Sequence, residues 1–436
     1  MTTPAEPNEI PAPDKRILMV GEGVTAAHVI RPLGIARDLD RTEFAPVFAA
    51  DPRWRGLVEN EGLPFEPLPC IEQDAFLKRL DRGAPLYTLE ELQAYVQDDL
   101  RLIAKTKPDV IVGDFRISMG ISAELSGIPY LALNNAHWSP NAVLPLPVPE
   151  HPLVALAGTK LAGRLIGLFM PHFLRVQARA MNRLRRWYGL APLGGDGARA
   201  VYTCGARALY MDVPALYGNQ PFAANEHWIG PVLWAPETAL PDWWDALPTD
   251  RPLAWASAGS SGDSGAMDMA VSALRDAGFA VMVATAGRMR APAGTYAAEF
   301  IPGLRAAARA DLVVCNGGSG LVYQALACGK PVLGLPRNMD QYYVMEAVER
   351  QGAGWLLRSG TATAKAVAAA ARTMLEDRAM RRSARELARA IAAMSPARRL
   401  EEIARETLSD GATDAAPAAA VVQPARWPAR EPALAS

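Results

Sequence analysis

The sequence contains few cysteines and few histidines. Its 436 residues include 4 cysteines and 5 histidines, and no two cysteines form a Cys-x-x-Cys pair. This scatter argues against a metal knuckle or a disulfide framework, and it is typical of a reducing compartment such as the cytoplasm. We therefore expect a cytoplasmic protein. The four cysteines are Cys70, Cys204, Cys315 and Cys328.

An excess of charge is also missing. The 45 Lys and Arg residues nearly balance the 46 Asp and Glu residues, which leaves a formal net charge of −1. This balance gives no reason to expect nucleic acid or an anionic membrane as the main partner. Hydrophobic residues make up 50% of the chain. A chain of this length and composition can form sizeable cores in two domains.

Neither a signal peptide nor a membrane-spanning helix is indicated. Residues 1–14 are polar and proline-rich, and we expect a disordered leader there. Residues 411–436 are rich in Ala and Pro without periodicity, and we expect a disordered tail. The apolar run Val154–Phe173 contains charged residues and a proline, whereas a spanning helix needs about 20 mostly apolar residues.

One stretch has the pattern of a strand–helix–strand unit with glycines at its first turn. Asp311–Cys315 is a short valine-rich run that predicts a buried parallel strand. Asn316–Gly320 follows at once, and Leu321–Cys328 is predicted to be helical, with a glycine at its C-terminal end. Pro331–Leu335 predicts the second strand. The chain therefore presents a glycine-rich turn directly before a helix.

Such a turn suits an anion. The first backbone N–H groups of a helix have no partner inside the helix, and the helix dipole favours negative charge in front of them. Glycines let a diphosphate come close to the backbone because no Cβ stands in the way. The spacing matches neither G-x-G-x-x-G nor a lysine-bearing P-loop. Taken alone, the pattern leaves open an anion site and a turn that only connects.

The whole stretch resembles the donor-binding signature of family-1 glycosyltransferases, members of the UDP-glycosyltransferase superfamily. Gly317–Leu326 is similar to the bacterial GGSG-x-x-Y-Q-A-L pattern, and the segments Gly329–Pro331 and Asp340–Gln341 follow in the family's order. The resemblance implies an α/β protein of GT-B fold, in which two Rossmann-like domains face each other across a cleft. The sequence departs from the family pattern at Asn316, where a histidine is usual, and at Gln324, where plant members have glutamate.

The resemblance also implies where a nucleotide-sugar donor binds. Asn316 would donate a neutral amide N–H to a phosphate oxygen, and Gln324 would accept from ribose hydroxyls less strongly than a carboxylate does. This leaves both UDP-sugar and dTDP-sugar open. Phe300 either stacks on the nucleobase or belongs to the core, and Asp340 either binds the sugar or caps the helix after it. The implied donor-binding residues are Ser260, Phe300, Asn316, Gly318, Ser319, Gly320, Gln324, Asp340 and Gln341.

A second similarity lies after the first predicted strand, Arg16–Gly21. The segment Ala27–Leu33 is similar to the family's Gly-His-x-x-Pro segment, with alanine in place of the glycine and the proline one place late. In that family the histidine is the general base, and the resemblance gives this role to His28. An imidazole titrating near neutrality can take the proton of an attacking hydroxyl, and ligands bind at the carboxyl edge of such sheets. The alternative is a helix-start histidine without a catalytic role.

Two further sequence segments end at the same sheet edge. Pro108–Asp114 predicts a buried strand that ends in a carboxylate, and the resemblance implies that Asp114 hydrogen-bonds the catalytic histidine. The alternative is a helix cap, for which Ser118 is also suited. The polar and aromatic cluster at Asn134–Trp138 either lines the acceptor pocket or is an ordinary loop. For His137 we favour a satisfied loop residue.

The run Arg175–Arg186 carries five arginines beside the apolar run that precedes it. One interpretation is a membrane-surface patch serving a lipid-linked acceptor. The other is a solvated helix face beside an apolar acceptor-side helix. We favour the solvated face and expect at most a weak membrane-surface contact.

The segment Leu233–Pro252 is rich in Pro, Trp and Asp and is typical of an interdomain linker. We predict an acceptor-binding domain over residues 15–235 and a nucleotide-sugar-binding domain over residues 236–410. Strands near Ala208–Asp212 and Trp228–Val232 are expected to finish the first domain. In the resembled fold the last helix crosses back onto the first domain.

Together these features predict a metal-independent, inverting glycosyltransferase that needs no cofactor. It would move a sugar from a UDP- or dTDP-sugar to a hydroxyl of an apolar small-molecule or lipid acceptor, with no nucleic-acid partner and with its oligomeric state open. One alternative is a sugar-nucleotide epimerase of GT-B fold, which would need acid and base carboxylates around the sugar and no acceptor. Another is a non-catalytic partner subunit that binds sugar nucleotide, an interpretation supported by Asn316.

Overall fold

A computed structural model describes residues 15–195, 197–259 and 262–413. The predicted leader, residues 1–14, lies outside this range, as does the tail from residue 414 onward. Ser260 also lies outside the described residues. The last helix runs to Thr413, which is three residues beyond the predicted boundary at 410.

A parallel sheet of seven strands forms the first half of the described chain. Its strands are β1 (Lys15–Gly21), β2 (Phe44–Ala50), β3 (Phe65–Pro67), β4 (Val110–Asp114), β5 (Tyr130–Asn134), β6 (Arg207–Tyr210) and β7 (Glu226–Trp228). Their order is β3-β2-β1-β4-β5-β6-β7. Strands β2 and β3 lie on one side of β1, and β4 to β7 follow on the other side. The loops after β1 and β4 therefore diverge and leave a crevice at the carboxyl edge.

Helices cover both faces of this sheet, which explains why its central strands β1, β4 and β5 are mostly buried apolar runs. The longest helix contains a kink at Gly158, whose φ is 75°. The helices are α1 (Ala27–Arg37), α2 (Arg55–Asn60), α3 (Gln73–Asp81), α4 (Leu89–Thr106), α5 (Met119–Ser126), α6 (Pro152–Gln177), α7 (Arg179–Trp187), α8 (Ala198–Tyr202) and α9 (Pro214–Tyr217). None of the helices that the structure describes combines the length and the apolar composition needed to cross a membrane.

The second half repeats the arrangement with six parallel strands. They are β8 (Leu253–Ser257), β9 (Ala280–Ala284), β10 (Tyr296–Ala298), β11 (Leu312–Cys315), β12 (Val332–Gly334) and β13 (Gly354–Leu356). The order is β10-β9-β8-β11-β12-β13. Strands β9 and β10 lie on one side of β8, and β11 to β13 lie on the other side. The loops after β8 and β11 therefore diverge, and a second crevice opens at the carboxyl ends of these two strands. The helices are α10 (Ser264–Asp276), α11 (Gly303–Arg309), α12 (Ser319–Ala327), α13 (Met339–Arg350), α14 (Ala364–Glu376), α15 (Arg378–Ala392) and α16 (Pro396–Thr413).

Helix α16 packs against the first sheet and not the second. Its residues Leu400 and Ile403 are buried in one core cluster with Ile17 of β1. The Asp40 backbone N–H donates to the Glu401 carboxylate at 2.7 Å, which ties the end of this helix to the loop before β2. The expected return of the last helix onto the first domain is confirmed.

Element boundaries differ from the prediction mainly at strand ends. The strand predicted at Trp228–Val232 is instead Glu226–Trp228. It ends early because Gly230 adopts a φ of +93° and a proline follows, and neither residue continues a ladder. The helix predicted from Leu321 begins at Ser319.

Candidate active site

His28 and Asp114 meet at the crevice of the first sheet. Strands β1 and β4 are neighbours, and Gly21 pairs in register with Asp114, so the helix that begins after β1 passes over the end of β4. His28 Nδ1 lies 2.8 Å from Asp114 Oδ1. Because an ionised carboxylate only accepts hydrogen bonds, we assign the proton to Nδ1. Among the described residues nothing is hydrogen-bonded to Nε2, which leaves that nitrogen available as a base.

The alternative of Asp114 as a helix cap is wrong. The N-cap position of α5 belongs to Ser118, and no side chain caps that helix. The Ser118 hydroxyl donates instead to Asp99 at 2.6 Å. The carboxylate of Asp114 is only 1% exposed and faces His28 and Arg31.

Arg31 is the third member of this group, and the sequence analysis missed it. Its Nε donates to Asp114 Oδ2 and its Nη2 to Asp114 Oδ1, both at 2.8 Å, which is a bidentate pair. Its Nη1 donates to Asn135 Oδ1 at 2.8 Å. Arg31 follows His28 by three positions, so both lie on one face of α1. That spacing was the signal in the sequence.

Aromatic rings surround the exposed side of this group. The Phe115 ring stacks on the His28 ring with centroids 4.5 Å apart and planes 7° apart. Phe115 holds a φ of +62°, a strained conformation for a bulky residue that often marks functional sites. The Tyr202 ring lies 5.3 Å from Phe115, and Phe76 lies 6.0 Å from it on another side. These contacts place a wall of aromatic rings directly beside His28.

An apolar cavity continues from that wall. It is lined by Leu86, Tyr87, Leu92, Ile117, Gln177, Ala198, Val201 and Tyr202. The Tyr87 hydroxyl is buried and has no hydrogen-bond partner among the residues described. A buried hydroxyl without a partner is costly, so this group is suited to meeting a polar atom of a bound molecule.

A buried charge cluster supports the loop that carries Phe115. Arg116 donates through Nε to Asp99 at 3.0 Å and through Nη1 to Glu22 at 3.3 Å. The Tyr95 hydroxyl donates to the same Glu22 at 3.2 Å. Burial raises the pKa of Glu22 to about 7, although the Arg116 charge opposes the shift. These hydrogen bonds hold Arg116, and with it the backbone directly after β4, in place. The raised pKa of Glu22 places its titration near neutral pH.

The predicted donor site lies at the crevice of the second sheet. Gly259 follows β8 with a φ of +59°, and Asn316 follows β11. A Cβ at Gly259 would lie 3.3 Å from Asn316 Nδ2, so the two loops touch. Asn316 Oδ1 accepts from the Gly318 N–H at 3.1 Å, which leaves Nδ2 as its donor. A Cβ on Gly320 would meet no described atom within 4 Å, so the first turn of α12 has open space beside it.

Phe300 and Gln324 flank that opening. Phe300 is 59% exposed, so the alternative that it belongs to the core is wrong. Gln324 packs against the start of α11, since a Cβ on Gly303 would overlap its Oε1. The structure thus brings Gln324 next to the loop that carries Phe300. Ser319 and Gly318 are half-buried at the first turn of α12.

Asp340 connects the two halves of the molecule. Its Oδ1 accepts from His137 Nε2 at 2.8 Å and from Trp138 Nε1 at 3.1 Å. The side chain of Asp340 is 41% exposed. Its partial burial raises its pKa, but the hydrogen bonds from His137 and Trp138 together with the His137 charge lower the pKa to about 2. His137 itself is buried and stacks on Tyr343, with centroids 5.0 Å apart. Both ring nitrogens of His137 are hydrogen-bonded, Nδ1 with Tyr217 at 3.2 Å and Nε2 with Asp340, so the interpretation of His137 as a satisfied residue holds. The sequence did not predict that one of these partners lies on α13, in the second half of the chain.

Asn338, and not Asp340, caps α13. The Asn338 side chain accepts from the Gln341 N–H at 3.1 Å, while Gln341 Oε1 accepts from the backbone N–H of Arg337 at 2.9 Å. The cap alternative for Asp340 is wrong. Gln341 is 1% exposed and uses its oxygen in this capping box. Its predicted role in sugar binding stays a prediction.

A network of hydrogen bonds connects the His28–Asp114 pair to α12. Asn135, which accepts from Arg31, donates through Nδ2 to Asp212 Oδ1 at 3.1 Å. The Tyr323 hydroxyl of α12 donates to the same oxygen at 2.7 Å. Burial raises the pKa of Asp212, although His137 and Tyr323 oppose this. A continuous chain of hydrogen bonds therefore runs from Asp114 through Arg31 to the helix of the predicted donor site.

Within the described part of the chain, no group of three or more His, Cys, Asp or Glu side chains is arranged to hold a metal ion. The four cysteines, all within that part, are unpaired.

Comparison with known proteins is consistent with this geometry. The family model of the EryCIII-like C-terminal domain, described as erythromycin biosynthesis protein CIII-like, matches residues 280–407. A PGL/p-HBAD biosynthesis glycosyltransferase of Mycobacterium tuberculosis is 42% identical over 394 residues, which cover 89% of this chain and 92% of the relative. A PGL/p-HBAD biosynthesis rhamnosyltransferase of Mycobacterium bovis is 41% identical over 390 residues, or 89% of this chain and 86% of the relative.

Solved structures show the same fold. The glycotransferase of kitacinnamycin superposes with a TM-score of 0.69 at 19% identity, covering 91% of this chain and 100% of that structure. The spinosyn rhamnosyltransferase SpnG complexed with thymidine diphosphate gives a TM-score of 0.66 at 20% identity, covering 89% and 99%. The predicted α/β class and two-sheet GT-B architecture are confirmed. The chain belongs to the family-1 glycosyltransferases of GT-B fold, and it is a glycosyltransferase.

Proposed function

We propose that the protein transfers a sugar from a nucleoside diphosphate sugar to a hydroxyl of an apolar acceptor, with inversion at the anomeric carbon. The observation that carries this proposal is the 2.8 Å contact between His28 Nδ1 and Asp114 Oδ1 at the crevice of the first sheet. His28 Nε2 takes the hydroxyl proton as the acceptor oxygen bonds to the anomeric carbon and the bond from that carbon to the diphosphate breaks. Asp114 keeps the imidazole in the required tautomer and stabilises its protonated form. A single displacement inverts the centre.

The departing diphosphate is proposed to lie at the N-terminus of α12. Negative charge grows on it in the transition state, and the free N–H groups and dipole of the helix stabilise that charge without reorganising. The open space at Gly320 and the half-buried Ser319 support this position. Asn316 Nδ2 is proposed to donate to a phosphate oxygen, and Phe300 to stack on the base. In this scheme the reaction needs neither a metal nor a cofactor.

For the donor we propose dTDP-sugar over UDP-sugar. A relative at 41% identity is named a rhamnosyltransferase, and a structural neighbour was solved with thymidine diphosphate. Gln324 supports the choice from this chain's own residues, since an amide binds ribose hydroxyls less strongly than the glutamate of plant members. We propose a deoxyhexose such as rhamnose as the transferred sugar.

For the acceptor we propose a molecule with an aromatic or long apolar body and a terminal hydroxyl. The rings of Phe76, Phe115 and Tyr202 favour a stacked, planar group beside His28. Relatives named for PGL/p-HBAD biosynthesis support the same class. The unpaired cysteines support a cytoplasmic location, which we propose for the reaction.

The experiment is a product analysis with the full chain. Purified protein is incubated with dTDP-rhamnose or UDP-glucose, with and without para-nitrophenol as a simple phenolic acceptor, and the products are examined by NMR. The proposal predicts a phenyl glycoside with an anomeric configuration opposite to the donor's, formed faster from dTDP-rhamnose. A new sugar nucleotide in the absence of acceptor would identify an epimerase. Retained anomeric configuration would contradict the inverting mechanism.

A further inference from the structure

The outer face of α6 exposes large apolar side chains. Leu161, Leu168 and Phe169 are 50%, 72% and 62% exposed. Their spacing of seven and eight residues places them on one side of the helix. The opposite side packs inward, with Met170 buried and Gly163 against Val148. One exposed leucine is ordinary, but several on one helix face mark an interaction surface.

The segment that contains this face is positively charged. Seven of the chain's 45 Lys and Arg residues lie between residues 151 and 195, and none of its 46 Asp and Glu residues lies there. Arg164 and Arg175 are exposed, and their spacing from Leu161 and Leu168 places them beside the apolar side chains. Two further exposed arginines, Arg179 and Arg186, continue the charge along α7. The solvated-face interpretation accounts for these arginines but not for the exposed leucines and phenylalanine.

We propose that the α6 surface, formed by Leu161, Arg164, Leu168, Phe169 and Arg175, docks onto an anionic lipid bilayer. The helix would lie in the plane of the interface, with its apolar side chains among the acyl chains and its arginines at the headgroup phosphates. A second copy of the chain fits this surface poorly. A two-fold interface would place the arginines of one copy against those of the other, with no acidic residue of the segment to pair them.

The surface also lies close to the cavity beside the proposed base. Gln177, the last residue of α6, lines that cavity together with Tyr202, and the Tyr202 ring contacts Phe115. Docking through α6 therefore brings the rings of Tyr202 and Phe115 near the bilayer, from which an apolar acceptor would reach His28. This second point rests on the proposed function, whereas docking itself does not.

The test is co-sedimentation of the full chain with lipid vesicles. One set consists of phosphatidylcholine alone and the other of an equimolar mixture of phosphatidylcholine and phosphatidylglycerol. The double variant Leu168→Gln/Phe169→Gln removes apolar side chains that support no core, so it is expected to fold normally. The matched control, Leu304→Gln/Arg305→Gln, removes one exposed leucine and one exposed arginine from α11. Melting temperature and size-exclusion profile are recorded for each protein.

We expect the parent and the control to bind the anionic vesicles, and raised salt to weaken this binding. We expect the Leu168→Gln/Phe169→Gln variant to bind at least about tenfold more weakly at an unchanged melting temperature. Failure of the parent to sediment with anionic vesicles would overturn the proposal. So would equal binding by the double variant, or a parent dimer that this variant converts to a monomer, since a second copy would then cover the surface. Vesicle binding needs no donor or acceptor, so its failure is distinct from a failure of sugar transfer.

Discussion

Arg31 holds both carboxylate oxygens of Asp114 at 2.8 Å, one through Nε and one through Nη2. Nη2 also lies 3.0 Å from His28 Nδ1. With the proton on Nδ1, both atoms are donors, so this contact is not a hydrogen bond. Arg31 therefore acts on the histidine through the carboxylate. Its third hydrogen bond, to Asn135, anchors the group to the network that reaches α12.

We expect Arg31→Lys to lower kcat by about tenfold to a hundredfold while nucleotide affinity stays unchanged. A small displacement of His28 would slow the reaction, whereas the proposed nucleotide site would not be affected. Lysine keeps the charge but cannot form the planar two-point contact. Steady-state kinetics and dTDP titration measure the two effects. Arg37→Lys, at the exposed end of the same helix, is the control. A loss confined to dTDP affinity would show that Arg31 belongs to the donor site instead.

Tyr87→Phe removes a buried hydroxyl that has no partner among the described residues. We expect it to leave the melting temperature unchanged or raise it, since the desolvation cost of that hydroxyl disappears. If the hydroxyl meets a polar atom of the acceptor, KM for the acceptor rises severalfold with kcat little affected. Tyr95→Phe is the comparison. Its hydroxyl donates to Glu22 and accepts from the Ile71 N–H at 2.7 Å, so that variant should lose stability.

Glu22 predicts a pH dependence of stability. Burial raises its pKa from 4.5 to about 7 in the folded protein. A raised pKa means that the folded state holds the proton more tightly, so the stabilisation is complete below about pH 4.5 and is lost as pH rises through 7. Glu22→Gln cannot titrate. Its melting temperature relative to the parent should therefore increase between pH 5 and 7.5 and then level off.

Differential scanning fluorimetry across that pH range measures this effect. Glu59→Gln, an exposed glutamate on α2, serves as the control. A constant difference between Glu22→Gln and the parent at every pH would contradict the assignment.

The central strands β4, β8 and β11 were predictable from local patterns because each is a short buried apolar run. The two-sheet architecture was implied by the family resemblance. The contact between His28 and Asp114 was implied by the family resemblance, with a helix cap as the alternative for Asp114, and the structure shows the contact. The contacts of Asp340 with His137 and of Tyr323 with Asp212 were not predicted. These pairs are 203 and 111 residues apart and depend on how the two sheets dock, which no local pattern encodes. The capping box that begins at Asn338 was a local signal that we overlooked.

Gly320→Ala tests the donor site without disturbing the fold. A Cβ there meets no described atom, and alanine favours the helix by about 1 kcal/mol over glycine. We therefore expect an unchanged or higher melting temperature. The added methyl would stand where the diphosphate approaches the backbone, so dTDP affinity should fall at least about tenfold.

Isothermal titration with dTDP measures the loss of affinity. Gly56→Ala is the matched control, since this glycine also lies in a helix and also faces open space, but in the first half of the chain. Unchanged dTDP binding by Gly320→Ala would place the diphosphate elsewhere.

The most direct test of the account compares transfer and nucleotide binding in His28→Ala, with His172→Ala, an exposed histidine of α6, as the control. We predict that His28→Ala loses transfer by about a hundredfold or more, as expected for removal of a general base. Its melting temperature should still rise with dTDP as in the parent, because the proposed nucleotide site lies in the other half. Undiminished transfer by His28→Ala would contradict the central claim that this histidine deprotonates the acceptor.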